Sequence, residues 1–257
     1  MSTLNVTIMQ AELCWHDAAG NREYFAGAIR NLDHATDLIV LPEMFTTGFS
    51  MDATDLAESM DGASVTWMRE TAVSQDAAIC GSLIIQENGN FFNRFICATA
   101  DEKLHCYDKK HLFRLANEQN HYAAGDRLVV FELNGWRICP LVCYDLRFPV
   151  WSRNRGHYDL LLYVANWPAR RHHAWQTLLR ARAIENLSYL AGVNVTGRDG
   201  NDISYRGGSS IIDYLGEDIA NLGEQPGTVS ADIDLENLSA FRDRFAFHLD
   251  ADNFSLT

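Results

Sequence analysis

Phe92-Asn-Arg-Phe-Ile-Cys-Ala-Thr99, Ala100-Asp-Glu-Lys103 and Leu104-His-Cys-Tyr107 follow one another as an apolar-rich run, a short polar stretch and a second run. Strands joined over so short a turn lie antiparallel, because a parallel return needs a crossover of about a dozen residues or more. A plain doubly wound parallel sheet is therefore disfavoured. Outward from this hairpin, Val- and Ile-rich runs predict further strands at 5–10, 37–41, 77–85, 128–133, 137–142, 160–164, 190–195, 209–214 and 227–233. Helical spacing separates some of them. Tyr24, Ala28, Ile29 and Leu32 share one face, and residues 63–73 form a weaker case. Over 173–187, Trp175, Leu178, Leu179, Ala183 and Leu187 make an apolar stripe, with Arg180, Arg182 and Glu185 off it. Many strands, covering helices and hairpin connections predict a mixed α/β sandwich.

The 257 residues, 47% apolar and 21% charged, suffice for one globular domain. No linker, low-complexity tract or short repeat divides them, so residues 1–257 are expected to form a single unit. Lys and Arg number 21 against 34 Asp and Glu, a formal charge of −13, which is the wrong sign for gripping a phosphate backbone. Nucleic acid is excluded as an expected partner. No apolar run approaches the ~20 residues of a membrane helix, and the first residues lack a secretory pattern, so a soluble, cytoplasmic protein without membrane contact is expected. The six cysteines, Cys14, Cys80, Cys97, Cys106, Cys139 and Cys143, contain no C-x-x-C pair. Free thiols in a reducing compartment follow, most of them buried and inert.

Familiar grammars are absent: there is no phosphate loop, dinucleotide glycine motif, zinc-protease H-E-x-x-H or serine nucleophile elbow. His172 and His173, neighbours in sequence, diverge by about 100° on a helix and cannot share a metal ion. Three strand ends carry reactive residues instead. Asp37-Leu-Ile-Val-Leu-Pro-Glu43 is a buried strand closed by proline and then a carboxylate. Tyr107-Asp-Lys-Lys-His-Leu-Phe113 follows the hairpin. Each alone reads as an ordinary solvated loop. In Trp136-Arg-Ile-Cys-Pro-Leu-Val-Cys-Tyr-Asp-Leu-Arg-Phe-Pro149, Cys143 ends an apolar strand and enters a polar turn, with Pro149 opening a short helix. A thiol there is expected to be partly exposed and faced by backbone N–H groups, both of which favour the thiolate.

Together these segments resemble the Glu, Lys and Cys motifs of the nitrilase superfamily of carbon–nitrogen hydrolases, in the same order. Leu41-Pro-Glu-Met-Phe-Thr-Thr-Gly-Phe49, Ala165-Asn-Trp-Pro168 and Arg180-Ala-Arg-Ala-Ile-Glu-Asn186 also read like family segments, and the likeness covers nearly the whole chain. The variants are most similar to the omega-amidase branch, whose members hydrolyse the terminal amide of short 2-oxo acid amides such as 2-oxoglutaramate and 2-oxosuccinamate. The resemblance implies a four-layer αββα sandwich. It also implies homodimers formed through an outer helical face that includes the helix carrying Arg180 to Asn186.

It further implies roles. Cys143 is the nucleophile that forms a thioester, Glu43 the general base and acid, and Lys109 with the backbone N–H of Tyr144 the donors to the oxyanion. Lys110 is the variable neighbour and dispensable. Glu118, in Asn117-Glu-Gln-Asn-His-Tyr-Ala-Ala-Gly125, matches a second family glutamate and orients the lysine or the substrate amide. Arg147, Arg170 and Arg171 are cationic candidates for a distal carboxylate, with Trp167 as a pocket wall. Arg147 can equally hold its turn through Asp145, and Arg170 and Arg171 can be surface residues. The implied partner is a small-molecule amide, with no metal and no organic cofactor.

Other amides, carbamoyl amines or nitriles fit the same chemistry. A rival of another class is a Mg²⁺-dependent phosphoesterase, also an αββα sandwich with a strand-end glutamate that binds the metal. The Ser-Asp-His segment expected near its C-terminus is missing. A catalytically silent scaffold is disfavoured by the intact Glu43, Lys109 and Cys143.

Overall fold

Alternation along the strands sorts their side chains onto two faces. The computed structural model describes residues 2–255. Its first half runs β1 (Thr3–Gln10), α1 (Ala18–Arg30), β2 (Leu38–Val40), α2 (Ala53–Leu56), α3 (Ala63–Gln75), β3 (Ala78–Glu87), β4 (Asn90–Ala98) and β5 (Leu104–Asp108). The second half runs β6 (Phe131–Leu133), β7 (Trp136–Val142), α4 (Pro149–Ser152), β8 (Leu160–Val164), α5 (His172–Asn186), β9 (Tyr189–Val193), β10 (Thr196–Arg198), β11 (Ser204–Arg206), β12 (Ser210–Ile212), β13 (Asp218–Asn221), β14 (Gly227–Asp234) and α6 (Leu235–Arg244).

The strands form two six-stranded sheets, ordered β14-β1-β2-β3-β4-β5 and β13-β12-β9-β8-β7-β6, plus a two-stranded ribbon of β10 and β11. Each large sheet has a parallel centre, β1-β2-β3 or β7-β8-β9, flanked by antiparallel strands. Leu4, Val6, Ile8, Leu38, Val40, Cys80, Phe95 and Cys97 point inward to a core shared with the second sheet. Met9, Ile39, Leu41, Ile79 and Ile96 point outward, under Phe25 and Ile29 of α1 and Val65 and Met68 of α3. Trp175, Leu179 and Ala183 of α5 cover the second sheet. The layers are helices, sheet, sheet, helices, as the αββα expectation requires. Strands buried on both faces read as continuous apolar runs, which is why β2 and β8 were legible.

The hairpin of β4 and β5 pairs antiparallel, Ala98 opposite Leu104 and Phe95 opposite Tyr107. A second hairpin, β3 to β4, turns on Asn88-Gly89, both at positive φ. Strands β10, β11 and β13 and helix α6 were not expected. The first three are too short and polar for a period to show. Helix α6 carries a cap that was legible, with the Asp234 carboxylate accepting from Asn237 N–H at 2.8 Å. Arg182 of α5, off the apolar stripe, is buried, donating to the Leu146 carbonyl at 2.7 Å and to Glu185 at 2.9 Å. It ties the helix to the turn after β7.

Candidate active site

Carboxyl ends of parallel strands are where an α/β sheet presents side chains to a ligand, and here two sheets present theirs to each other. Glu43 follows β2, Lys109 follows β5, Cys143 follows β7 and Asn166 follows β8. Glu118 comes from a short turn at Glu118–Asn120. Gly125 brings that loop against the lysine: its N–H bonds the Lys109 carbonyl at 2.9 Å, and a Cβ there would stand 2.1 Å from the Asp108 carbonyl oxygen.

Lys109 is the hub. Its ammonium, fully buried, donates to Glu43 Oε1 at 3.0 Å and to Glu118 Oε1 at 2.9 Å. Burial alone would lower its pKa, but the two carboxylates more than offset that and raise it. Glu118 is pushed up by burial and by Glu43, against the pull of Lys109, while its Oε2 accepts the Phe113 N–H at 2.5 Å. Lys110 points elsewhere, its ammonium 5.1 Å from the Trp151 ring.

Cys143 opens a 3-10 turn, Cys143–Arg147, at φ +43, a left-handed conformation that L-residues seldom adopt. The expected partial exposure of its thiol does not hold, since only 9% of the residue is accessible. Burial, reinforced by the Glu43 charge and opposed by Lys109, pushes the thiol well above its ordinary value. Its turn is fixed by Asp145, which accepts from Tyr107 Oη at 2.8 Å, Val142 N–H at 3.1 Å and His111 N–H at 2.9 Å. Asp145 is thus engaged away from Arg147. Among the other cysteines, Cys80, Cys97 and Cys139 are buried and Cys106 is partly so, whereas Cys14 is exposed, against expectation.

Cys143 and Lys109 sit in a cavity of about 460 Å³. Tyr144, half-buried, packs edge-on against Phe113 with ring centroids 5.0 Å apart. Trp167 is buried, and the Arg147 guanidinium lies 4.8 Å from its ring centroid. Arg171, expected at the surface, lines the cavity half-buried over Phe113 at 5.1 Å, and burial together with the charges of Arg170 and Arg147 lowers its pKa. Arg170 also lines it and is exposed. Among the described residues neither Arg147 nor Arg171 is in an ion pair. The ribbon of β10 and β11 contributes Tyr205 to the wall, its hydroxyl donating to Asp199 at 2.7 Å. Trp15 reaches in from the loop after β1, so close to Gly200 that a Cβ there would lie 2.3 Å from its indole nitrogen.

Sequence reasoning missed three residues around Glu43. Asn166 N–H donates to Glu43 Oε2 at 2.7 Å and its side chain to the Glu43 carbonyl at 2.6 Å. Asn93 Nδ2 donates to Glu43 Oε1 at 2.7 Å, and Ser82 donates to Asn93. Asn166 was visible in the Ala165-Asn-Trp-Pro168 segment without a role. Asn93 lay in the run that set the fold, a polar residue inside an apolar strand.

The profile of the family described as Carbon-nitrogen hydrolase matches residues 5–243. The chain is 49% identical to "Omega-amidase YafV" of Yersinia enterocolitica, covering 100% of both proteins. It is 36% identical to "2-oxoglutaramate amidase" of Bacillus subtilis (strain 168), over 80% of this chain and 82% of that protein. The crystal structure of XC1258 from Xanthomonas campestris, described as a CN-hydrolase superfamily protein with an arsenic adduct in the active site, superposes with a TM-score of 0.97. That protein is 48% identical, with 100% of both chains covered.

Proposed function

The chain belongs to the carbon–nitrogen hydrolase family, and from that premise we propose that it is an omega-amidase, hydrolysing the terminal amide of 2-oxoglutaramate or 2-oxosuccinamate to the acid and ammonia. The observation that carries this reading is a cavity in which Cys143, beside the Glu43–Lys109–Glu118 cluster, faces unpaired guanidiniums.

The raised thiol defines the order of events. A thiol protonated at neutral pH needs a base in contact with it, so Glu43 takes the proton as sulfur attacks the amide carbon. The electron pair of the C=O bond moves to oxygen, which Lys109 and the Tyr144 N–H stabilise; the latter stands at the start of its turn, where backbone donors are free. Collapse breaks the C–N bond, and the proton held by Glu43 leaves with ammonia. Water, activated by the same carboxylate, then cleaves the thioester. Glu118 holds Lys109 in place. Arg147, braced on Trp167, binds the distal carboxylate, and Arg171 is the second cation on that side.

Against the metal-dependent alternative, the positive charge beside Glu43 is supplied by the Lys109 ammonium at 3.0 Å. Among the described residues no helix is long and apolar enough to cross a membrane. Residues 1–257 read as one hydrolase domain acting in the cytoplasm. The homodimer reading is supported by Ile184 of α5, exposed beside the turn at Leu215-Gly216.

An ammonia-release screen tests the reading. We expect 2-oxoglutaramate and 2-oxosuccinamate to exceed glutamine, an N-carbamoyl amine and an aliphatic nitrile in kcat/KM. Equal or faster nitrile turnover overturns the substrate assignment. For the anchor, Arg147→Gln removes a charge-assisted hydrogen bond of about 1.5–3 kcal/mol, so the KM for 2-oxoglutaramate rises about 10- to 100-fold while kcat changes far less. An unchanged KM transfers the anchor to Arg171.

A further inference from the structure

A carboxylate offers about four lone-pair positions, two on each oxygen. At Glu43 three are taken. Oε1 accepts from Asn93 Nδ2 at 2.7 Å and Lys109 Nζ at 3.0 Å, and Oε2 accepts from Asn166 N–H at 2.7 Å. One position on Oε2 remains.

The Asn93 amide is held in one orientation from both of its ends. Its Oδ1 accepts the Ser82 hydroxyl at 2.8 Å, and that hydroxyl oxygen accepts the Met44 N–H at 2.9 Å. The Glu43 carboxylate, which only accepts, requires the Asn93 NH₂ group toward it and, at 3.5 Å, toward Glu118 Oε1, and Ser82, one of whose lone pairs takes the Met44 N–H, turns its proton to the Oδ1 at the other end of the amide. The chain of bonds begins at the peptide following Glu43 and returns to the Glu43 side chain. Glu43, Ser82 and Asn93 all have no accessible surface, so water does not substitute for any member.

We propose that Asn93, oriented by Ser82, is a positioning residue that confines proton transfer to Oε2 of Glu43. On attack the S–H bond of Cys143 breaks, sulfur bonds to the amide carbon, and the proton goes to Oε2. When the C–N bond breaks, the same proton passes from Oε2 to the departing nitrogen. With Oε1 filled from β4 and β5, the carboxylate neither rotates nor protonates on the wrong oxygen between the two halves of the cycle.

The inference rests on Glu43 being the base, so Glu43→Gln is measured alongside. Ser82→Ala, which deletes one buried hydroxyl, is expected to lower kcat by about tenfold with KM within about twofold, since a base misplaced by a fraction of an ångström already slows the reaction. It also moves the acidic limb of the kcat/KM profile to higher pH, because weakening a donor to a carboxylate disfavours its charged form. Ser82→Thr, which keeps the hydroxyl, restores the limb. Asn93→Asp, near-isosteric but without the donor, loses about 10²-fold or more in kcat.

If Asn93→Asp does not fold, Ser82→Ala and Ser82→Thr decide alone. Wild-type kcat and an unmoved acidic limb in folded Ser82→Ala overturn the inference, as does a loss confined to KM. Glu43→Gln separates the two failures. If it keeps turnover, the assignment of the base falls; if it is inactive while Ser82→Ala matches wild type, only the positioning role of Asn93 falls.

Discussion

Cys143→Ala is expected to lower ammonia release from 2-oxoglutaramate by about 10⁴-fold or more with the fold retained, since removing a covalent nucleophile leaves only binding and oxyanion stabilisation. Stability should change little. The residue stands at φ +43, and alanine adopts that conformation no less readily than cysteine, so the backbone strain is unaltered. The change also removes a buried thiol whose ionisation burial already opposes. Cys143→Ser is expected to be similarly inactive, because a hydroxyl is a still weaker acid and Glu43 has to abstract a more tightly held proton. Rates of ammonia release, with far-UV circular dichroism to confirm folding, check both. Turnover within about tenfold of wild type in either variant would sink the nucleophile assignment. Alkylation must be mapped by peptide mass, because exposed Cys14 also reacts and its modification alone should leave activity intact.

Lys109→Met should damage both function and stability. It removes a donor to the developing oxyanion, worth about 10²–10³-fold in kcat. It also leaves Glu43 and Glu118 buried side by side without a counter-charge, and breaking a buried ion cluster from one side costs about 3–5 kcal/mol. The pH dependence has a definite sign. Glu118 already has a raised pKa in the folded protein, from burial and Glu43. Without the lysine it rises further, and a group bound more tightly to its proton in the folded state stabilises at low pH and loses that contribution as pH climbs through the folded value. The deficit of Lys109→Met in urea unfolding should therefore be larger at pH 8 than at pH 5. Adding Glu118→Gln should recover part of the stability and none of the activity. Wild-type stability at pH 8 in the single variant would mean that the cluster is not held by the lysine charge.

Glu43, Lys109 and Cys143 stand out in the sequence because each lies at or just past the end of a strand-like run, and such a run announces both the strand and the place where it stops. Glu118 was legible only through the family resemblance, as the glutamate of the 117–125 stretch; the close approach of Gly125 to the Asp108 carbonyl shows in the fold alone. Asn93 was not legible. A single polar residue in a strand normally faces solvent, and nothing local reveals that β4 turns it toward a carboxylate 50 residues earlier. The thiol's surroundings were misread through the same gap. A strand end is a surface feature of one sheet, but here the ends of two sheets meet, and β11 with the turn that leads into it, too short and polar to carry a period, helps wall the space above them. Arg182 shows that an apolar stripe tells which residues pack on a sheet without telling which charged ones reach past it to a carbonyl.

Glu43 binds Asn166 across 123 residues of chain, and Gln10 binds Ser209 across 199. Neither sheet alone holds a working set of groups, so during refolding secondary structure can return well before turnover does. Contacts of such separation form late, because a long loop must close before they reward it. Regained ammonia release is thus a clock for the docking of the two sheets. A nascent or half-folded chain keeps its nucleophile without the base that would arm it.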